Sequence, residues 1–233
     1  AEHLRAAAPA SEVVATTLDG LLQRQVEDLA RRERHWFGDG GDIAVVVADS
    51  RTRDVRAWLG SADFFGPWGQ NDLALARRSP GSALKPFIYG LAFDDGIAHP
   101  ETLIEDAPQR FGGYAPRNFD REFQGAVTVR AALQQSLNVP AVIALDRLGP
   151  ARLVAALREA GAVLDFDAAA DQPSLPIALG GVGINLADLT MLYTAFAGDG
   201  RVQNLRVRPE APRAAPKRLL GPAAAWQVAD VLS

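Results

Sequence analysis

Residues 79–86 read SPGSALKP, and the informative pattern within them is Ser82-x-x-Lys85. If a helix begins near Ser82, a residue three positions on lies one turn away on the same face. A hydroxyl and an amine would then be side by side, which is what a serine nucleophile with a lysine base requires. Pro86 fits this placement, because proline is tolerated in the first turn of a helix. The alternative is an ordinary helix start with a capping serine.

Lysine is rare in this chain. Of its 24 basic residues only Lys85 and Lys217 are lysines, and all others are arginines. Arginine keeps its proton in a protein, whereas a partly desolvated lysine can lose it. The lysine at position 85 therefore indicates a site where a titratable amine is needed.

The segment that follows Lys85 predicts a buried helix. Residues 87–93 read FIYGLAF and are apolar on nearly every side, as expected for a helix in the centre of a domain. Ser82 would lie at its amino end, where free N–H groups and the helix dipole favour negative charge. The oxyanion of an acyl-transfer reaction forms at such a place.

A second polar pair, Ser136-x-Asn138, follows 51 positions after Lys85. Either half is common by itself in turns. A hydroxyl beside the Ser/Lys pair could relay a proton to a leaving group, and an asparagine two residues later could hold the backbone of a peptide substrate. The combination of the two motifs in this order is more specific than either part.

The chain around this pair predicts helices and one long loop. Residues 97–125 are expected to form a long polar connection of the kind that is often functional. Thr128 can cap a helix over 129–135. Val139 is expected to be extended because it precedes Pro140, which suits the first position of the next helix.

Elsewhere the pattern predicts further regular elements. Asp19 or Thr17 can cap a helix that runs to about Arg34. Two apolar runs, 43–48 and 55–59, flank a polar turn and predict a β-hairpin.

Composition limits the classes of function. The chain has 233 residues, 48 % apolar residues and a net charge of −4, which is ordinary for a globular protein and gives no sign of a nucleic-acid surface. It has no cysteine, so disulfides and thiolate chemistry are excluded. No apolar run reaches the length of about 18 residues that a membrane span needs. We predict no metal and no cofactor.

Two rival sites are disfavoured. The glycines of residues 180–183 match no phosphate-binding pattern and predict a tight turn. A Ser-His-Asp triad would have to draw on His3, His35 or His99, and Ser82 lacks the Gly-x-Ser-x-Gly elbow.

The two motifs together resemble the penicillin-binding proteins, the serine acyltransferases that cross-link peptidoglycan. Residues 16–19, 78–87, 111–120 and 136–142 look like the transpeptidase domain of bifunctional class A members of the 1C type. The resemblance covers about residues 13–233. It implies an α/β fold of mixed α+β type, similar to serine β-lactamases, with an antiparallel sheet flanked by helices, a helical subdomain and the site between them.

The resemblance also implies roles for the four residues. Ser82 would be the acylated nucleophile and Lys85 its general base. Ser136 would pass the proton to the leaving D-Ala, and Asn138 would bind the stem peptide or a β-lactam side chain. The backbone N–H of Ser82 would form half of the oxyanion hole.

The third family motif, Lys-Thr-Gly, does not occur after Asn138. We therefore expect residues 13–233 to be a carboxy-terminally incomplete transpeptidase domain, and residues 1–12 a linker from an upstream glycosyltransferase domain. A poorly active, peptidoglycan-sensing domain and a serine β-lactamase remain the alternatives.

The implied partners are peptidoglycan stem peptides, lipid-linked precursor strands and β-lactam antibiotics. Nucleic acid is not among them. The parent protein would be anchored in the bacterial inner membrane and face the periplasm.

Overall fold

The computed structural model describes residues 14–38, 41–66, 69–166 and 172–233, and the chain divides into two compact units. The predicted linker, residues 1–12, lies outside this described part. The first unit takes the described residues up to Arg77 with Asn185–Met191 and Gln203–Ala215, and the second takes Arg78–Ile184, Leu192–Val202 and Pro216–Ser233.

The first unit contains helix α1, Gly20–Glu33. Asp19 caps this helix, since its Oδ1 accepts the N–H groups of two first-turn residues at 3.0 and 3.1 Å. Thr17, the other candidate for the cap, is buried and donates its hydroxyl to the Val55 carbonyl at 2.7 Å. Of the two predicted caps, Asp19 is therefore the one that caps α1.

A β-hairpin packs against α1 in the first unit. Strands β1, Val45–Ala48, and β2, Val55–Leu59, pair antiparallel as predicted. Alternate residues of β2 are buried, which is the pattern of a strand with one face on a core. The core cluster of this unit consists of Val26, Ala30, Ala57, Leu59 and Ala62.

The second unit is built around helix α2, Lys85–Asp94. A 3-10 turn, Gly81–Leu84, leads directly into it. All residues from Leu84 to Phe93 are buried, which confirms the helix predicted from its apolar sequence. Pro86 lies in the first turn, where its missing N–H removes no helical hydrogen bond.

Residues 97–125 are not the single irregular connection that we expected. Strand β3, Leu103–Asp106, pairs antiparallel with β4, Gly125–Thr128. Burial alternates along β3, so that Ile104 and Asp106 face inward. Four residues of mixed polarity are too few to predict a strand from sequence. Strand β3 is stabilised by its hydrogen bonds to β4, which local sequence does not indicate.

Helix α3, Val129–Gln134, begins at the predicted Thr128 cap, whose hydroxyl accepts the N–H of Ala131 at 3.2 Å. The prediction for Val139 was wrong, because helix α4 runs from Asn138 to Leu148 and includes it. The preference for extended backbone before proline is steric, and here it is outweighed by the hydrogen bonds that Asn118 accepts from the N–H groups of Asn138 and Val139.

The remaining elements are α5, Pro150–Ala160; a 3-10 turn, Leu175–Leu179; α6, Leu186–Tyr193; β5, Arg201–Val202; β6, Lys217–Arg218; and α7, Pro222–Leu232. Strands β5 and β6 form a third antiparallel pair. Antiparallel strands together with helices confirm the predicted mixed fold. Within the described ranges, no helix has both the length and the apolar character needed to cross a membrane.

Candidate active site

Lys85 is the centre of a buried polar cluster. It is the first residue of α2 and is only 1 % exposed. Its Nζ donates to the Ser136 carbonyl at 2.6 Å, to Asn138 Oδ1 at 2.7 Å and to Ser136 Oγ at 3.2 Å. The structure therefore brings together three of the four residues singled out from the sequence.

The surroundings of Lys85 act on its charge in opposite directions. Burial lowers the pKa of the Lys85 ammonium from 10.5 to about 8. Three acceptor oxygens match the three donors of an ammonium group. A neutral amine has two donors and one lone pair, so it can keep the two short bonds and turn its lone pair toward a hydroxyl. With this pKa roughly a tenth of Lys85 is neutral at pH 7.

Lysine side-chain NMR can test this state, because Lys85 and the exposed Lys217 are the only two lysines in the chain. With ¹³Cε-labelled lysine we expect the Lys85 signal to titrate near pH 8, charged below this value and neutral above it. Lys217 provides the internal reference. A Lys85 midpoint above about pH 10 would contradict a desolvated amine.

Ser82 lies on the 3-10 turn just before α2, and its side chain is exposed. Its carbonyl accepts the backbone N–H of Lys85. Among the described residues no hydrogen bond joins the Ser82 hydroxyl to the Lys85 amine. A direct contact between these two groups stays a prediction, although they are one turn apart as the spacing indicated.

The turn that carries Ser82 is fixed from two sides. Ser79 donates its hydroxyl to the Gly180 carbonyl at 2.7 Å and accepts the N–H of Gly81 at 3.3 Å. Tyr193 donates its hydroxyl to the carbonyl of Ala83 at 2.9 Å. The backbone on both sides of Ser82 is therefore held by side chains.

Gly180 lies against this turn with a φ of +98°. A Cβ there would be 2.3 Å from Ser79 Oγ and 2.6 Å from the backbone nitrogen of Gly81. The glycine-rich residues thus form a tight turn, as predicted, and the packing shows why glycine is needed. Sequence alone did not connect them with the turn that carries Ser82.

Ser136 has an unusual backbone conformation, with a φ of +55°. It follows α3, where the N–H of Ser136 bonds to the Leu133 carbonyl and that of Leu137 to the Ala132 carbonyl. Glycine usually occupies such a position at a helix end. This conformation directs both the carbonyl and the hydroxyl of Ser136 to Lys85.

Asn138 is held by neighbours that the sequence reasoning did not identify. Its Nδ2 donates to the Arg117 carbonyl at 2.8 Å, and its backbone N–H donates to Asn118 Oδ1 at 2.8 Å. Asn118 in turn bonds to the buried Asp106. Asn118 lies in the family-like residues 111–120, but its local sequence does not distinguish a buried asparagine from one on the surface.

The histidines considered for a triad form local bonds. A ring nitrogen of His99 accepts the N–H of Glu101 at 3.2 Å, and the ring of His35 contacts the Arg32 carbonyl. His3 lies outside the described residues.

Comparison with known proteins decides the family. Residues 43–233 match the model of the penicillin binding protein transpeptidase domain. The chain belongs to this transpeptidase family. The domain is 40 % identical over 225 residues to penicillin-binding protein 1C of Escherichia coli. The aligned residues make up 96 % of the chain and 29 % of the E. coli protein. It is 29 % identical over 188 residues to penicillin-binding protein 1F of Bacillus subtilis, covering 78 % of the chain and 25 % of that protein.

Solved structures share the fold of this transpeptidase domain. The structure of PonA1 from Mycobacterium tuberculosis in complex with penicillin V superposes with a TM-score of 0.78 at 23 % identity, covering 94 % of the chain and 62 % of PonA1. A peptidoglycan glycosyltransferase from Burkholderia ambifaria gives 0.80 at 21 % identity, with coverages of 94 % and 73 %. The chain spans less than a third of the length of the curated relatives named above.

Proposed function

We propose that this transpeptidase domain is a serine D,D-transpeptidase that forms an acyl-enzyme with D-Ala-D-Ala stem peptides and is inhibited by penicillin. The observation that carries the proposal is the buried amine of Lys85, held between Ser136 and Asn138 one turn after an exposed serine. Family membership supports the same chemistry.

In the first step Ser82 Oγ attacks the carbonyl carbon of the penultimate D-Ala. Neutral Lys85 takes the hydroxyl proton as the new C–O bond forms. The negative charge on the carbonyl oxygen is stabilised in part by the backbone N–H of Ser82, near the amino end of α2.

The tetrahedral species then collapses and the peptide C–N bond breaks. The proton held by Lys85 passes through Ser136 Oγ, 3.2 Å away, to the amine of the leaving D-Ala. An amine of a second stem peptide then attacks the ester carbonyl and gives up a proton to the same relay. As the new amide forms, the ester C–O bond breaks, and Ser82 Oγ takes a proton back from Lys85. Asn138 holds the peptide backbone with its side-chain amide.

The whole protein is proposed to have a second activity besides that of this domain. We propose that it is a bifunctional class A protein with a glycosyltransferase activity, acting on lipid-linked strands at the periplasmic face of the inner membrane. The structural neighbour from B. ambifaria is a peptidoglycan glycosyltransferase, which supports the glycosyltransferase part of this proposal.

The test is mass spectrometry after incubation with a labelled penicillin, on this chain and on the full-length protein that its gene encodes. We expect one adduct per chain, on the peptide that contains Ser82, and none in a Ser82→Ala variant. An adduct elsewhere, or none in the full-length protein, would refute the proposal.

Two further readouts separate the alternative functions. Rapid hydrolysis of nitrocefin would indicate a β-lactamase. Slow labelling of Ser82 with no cross-linking of stem peptides by the full-length protein would indicate a sensing domain. The proposed transpeptidase predicts a long-lived adduct and cross-linked product.

A further inference from the structure

We propose that Asn118 is a positioning residue for the Lys85 site and that Asp106 holds it in place. The inference rests on the proposed function of that site. Among the described residues, neither of the two forms a hydrogen bond with Lys85. Both act through Asn138, whose side chain supplies one of the two shortest hydrogen bonds to the Lys85 amine.

Asn118 joins two parts of the second unit with its amide group. Its Oδ1 accepts the backbone N–H of Asn138 at 2.8 Å and that of Val139 at 3.4 Å. Its Nδ2 donates to both carboxylate oxygens of Asp106 at 2.9 Å and to the Glu122 carbonyl at 2.9 Å. Asn118 is only 5 % exposed, so these bonds do not compete with bulk water.

Asp106 fixes the direction of the Asn118 amide. It is fully buried at the end of β3, and its carboxylate also accepts the backbone N–H of Gln124 at 2.9 Å. A carboxylate can only accept, so the amide must present its NH₂ group to it. The Oδ1 atom is then left facing the amino end of α4. A flipped amide would place donor against donor on one side and acceptor against acceptor on the other.

Helix α4 needs this external partner because it has no cap of its own. The residue before it, Leu137, offers no side-chain acceptor. Asn118 takes the role of the cap from 20 positions earlier in the chain. This capping also explains why Val139 is helical.

Asn118 and the residue before it, Arg117, together hold Asn138 in the site. The Arg117 carbonyl accepts a hydrogen bond from the side-chain amide of Asn138, while Asn118 Oδ1 accepts one from the backbone N–H of Asn138. Two successive residues thus set both the main chain and the side chain of Asn138. The position of Asn138 Oδ1 at Lys85 Nζ depends on where Asp106 holds this two-residue segment.

The first test measures acylation of Ser82 by a fluorescent penicillin at saturating concentration. We expect Asn118→Ala to lower the first-order rate about 10- to 100-fold, the range for a lost buried hydrogen bond near a charge. The matched control is Gln124→Ala, which removes an exposed side chain bonded to Gln135 but keeps the backbone N–H on Asp106. The control should acylate at the wild-type rate.

A reciprocal exchange separates positioning from general loss of stability. In the D106N/N118D variant the amide at 106 donates to the carboxylate at 118, which still accepts the N–H of Asn138 but has no donor for the Glu122 carbonyl. We therefore expect partial recovery: the exchange variant should acylate faster than either single variant, D106N or N118D, in a double-mutant cycle. A folded exchange variant no faster than both single variants would overturn the proposal, as would an unimpaired Asn118→Ala. If Asn118→Ala does not fold, the comparison of the exchange variant with its two single variants tests the proposal.

A second readout does not need acylation. The two ¹³Cε-lysine signals report on Lys85 directly, and we expect Asn118→Ala to move its midpoint to lower pH by at least about half a unit, since an acceptor of the ammonium is lost. Gln124→Ala should leave it in place. An unmoved Lys85 signal would overturn the positioning role. If the wild type takes up no penicillin but the signal moves, the proposed function fails while the link from Asn118 to Lys85 stands.

Discussion

A Lys85→Arg variant should acylate Ser82 about 10²- to 10⁴-fold more slowly than wild type, the usual contribution of a general base. Arginine keeps the positive charge but cannot release its proton, so it offers no lone pair to the Ser82 hydroxyl. Lys85→Met should lose as much, because methionine has similar length and no amine. The measurement is the rate of covalent labelling by penicillin, with folding followed by thermal melting.

Lys217→Arg is the matched control for this prediction. Lys217 is the only other lysine and is exposed, so the same exchange there should leave the rate unchanged. If folded Lys85→Arg labels Ser82 within about threefold of wild type, a difference of less than 1 kcal/mol in the barrier, another group must take the proton. The proposed mechanism would then be wrong at its first step.

Gly180→Ala should damage both stability and acylation. Alanine at a φ of +98° is strained, and its Cβ would overlap Ser79 Oγ at 2.3 Å and the nitrogen of Gly81 at 2.6 Å. We expect a loss of about 2–4 kcal/mol in the free energy of unfolding from overpacking and backbone strain. The turn that carries Ser82 must shift to make room, and a displacement of about 1 Å can cost on the order of 100-fold in rate.

The control for this prediction is Gly198→Ala, in the same unit. A Cβ at Gly198 would meet nothing within 4 Å. Chemical denaturation and penicillin labelling should leave this variant close to wild type. Gly180→Ala that melts like wild type and labels at the wild-type rate would show that the turn does not depend on this glycine.

Features set by local sequence could be predicted well. The apolar run after Lys85 gave the buried helix α2, and Asp19 and Thr128 gave two helix starts. The scarcity of lysine pointed to position 85 before any geometry was known. Each of these depends on residues within one or two turns of the chain.

Features that depend on distant partners could not be predicted. Ser79 bonds to Gly180, 101 positions away, and nothing in either local sequence indicates the other. Val139 was expected to be extended because of Pro140, yet the side chain of Asn118 supports a helical start there. The backbone carbonyl of Ser136, which makes the shortest bond to Lys85, cannot be read from a side-chain motif.

The left-handed backbone of Ser136 also limits how this protein can adapt to heat. A non-glycine residue in that region costs about 1 kcal/mol, which glycine would not incur. The easiest stabilising exchange at this position would therefore delete the hydroxyl that faces Lys85. The proton relay proposed for Ser136 and the stability of its backbone therefore favour different residues at this position, and a more stable variant that keeps the relay must gain its stability elsewhere in the domain.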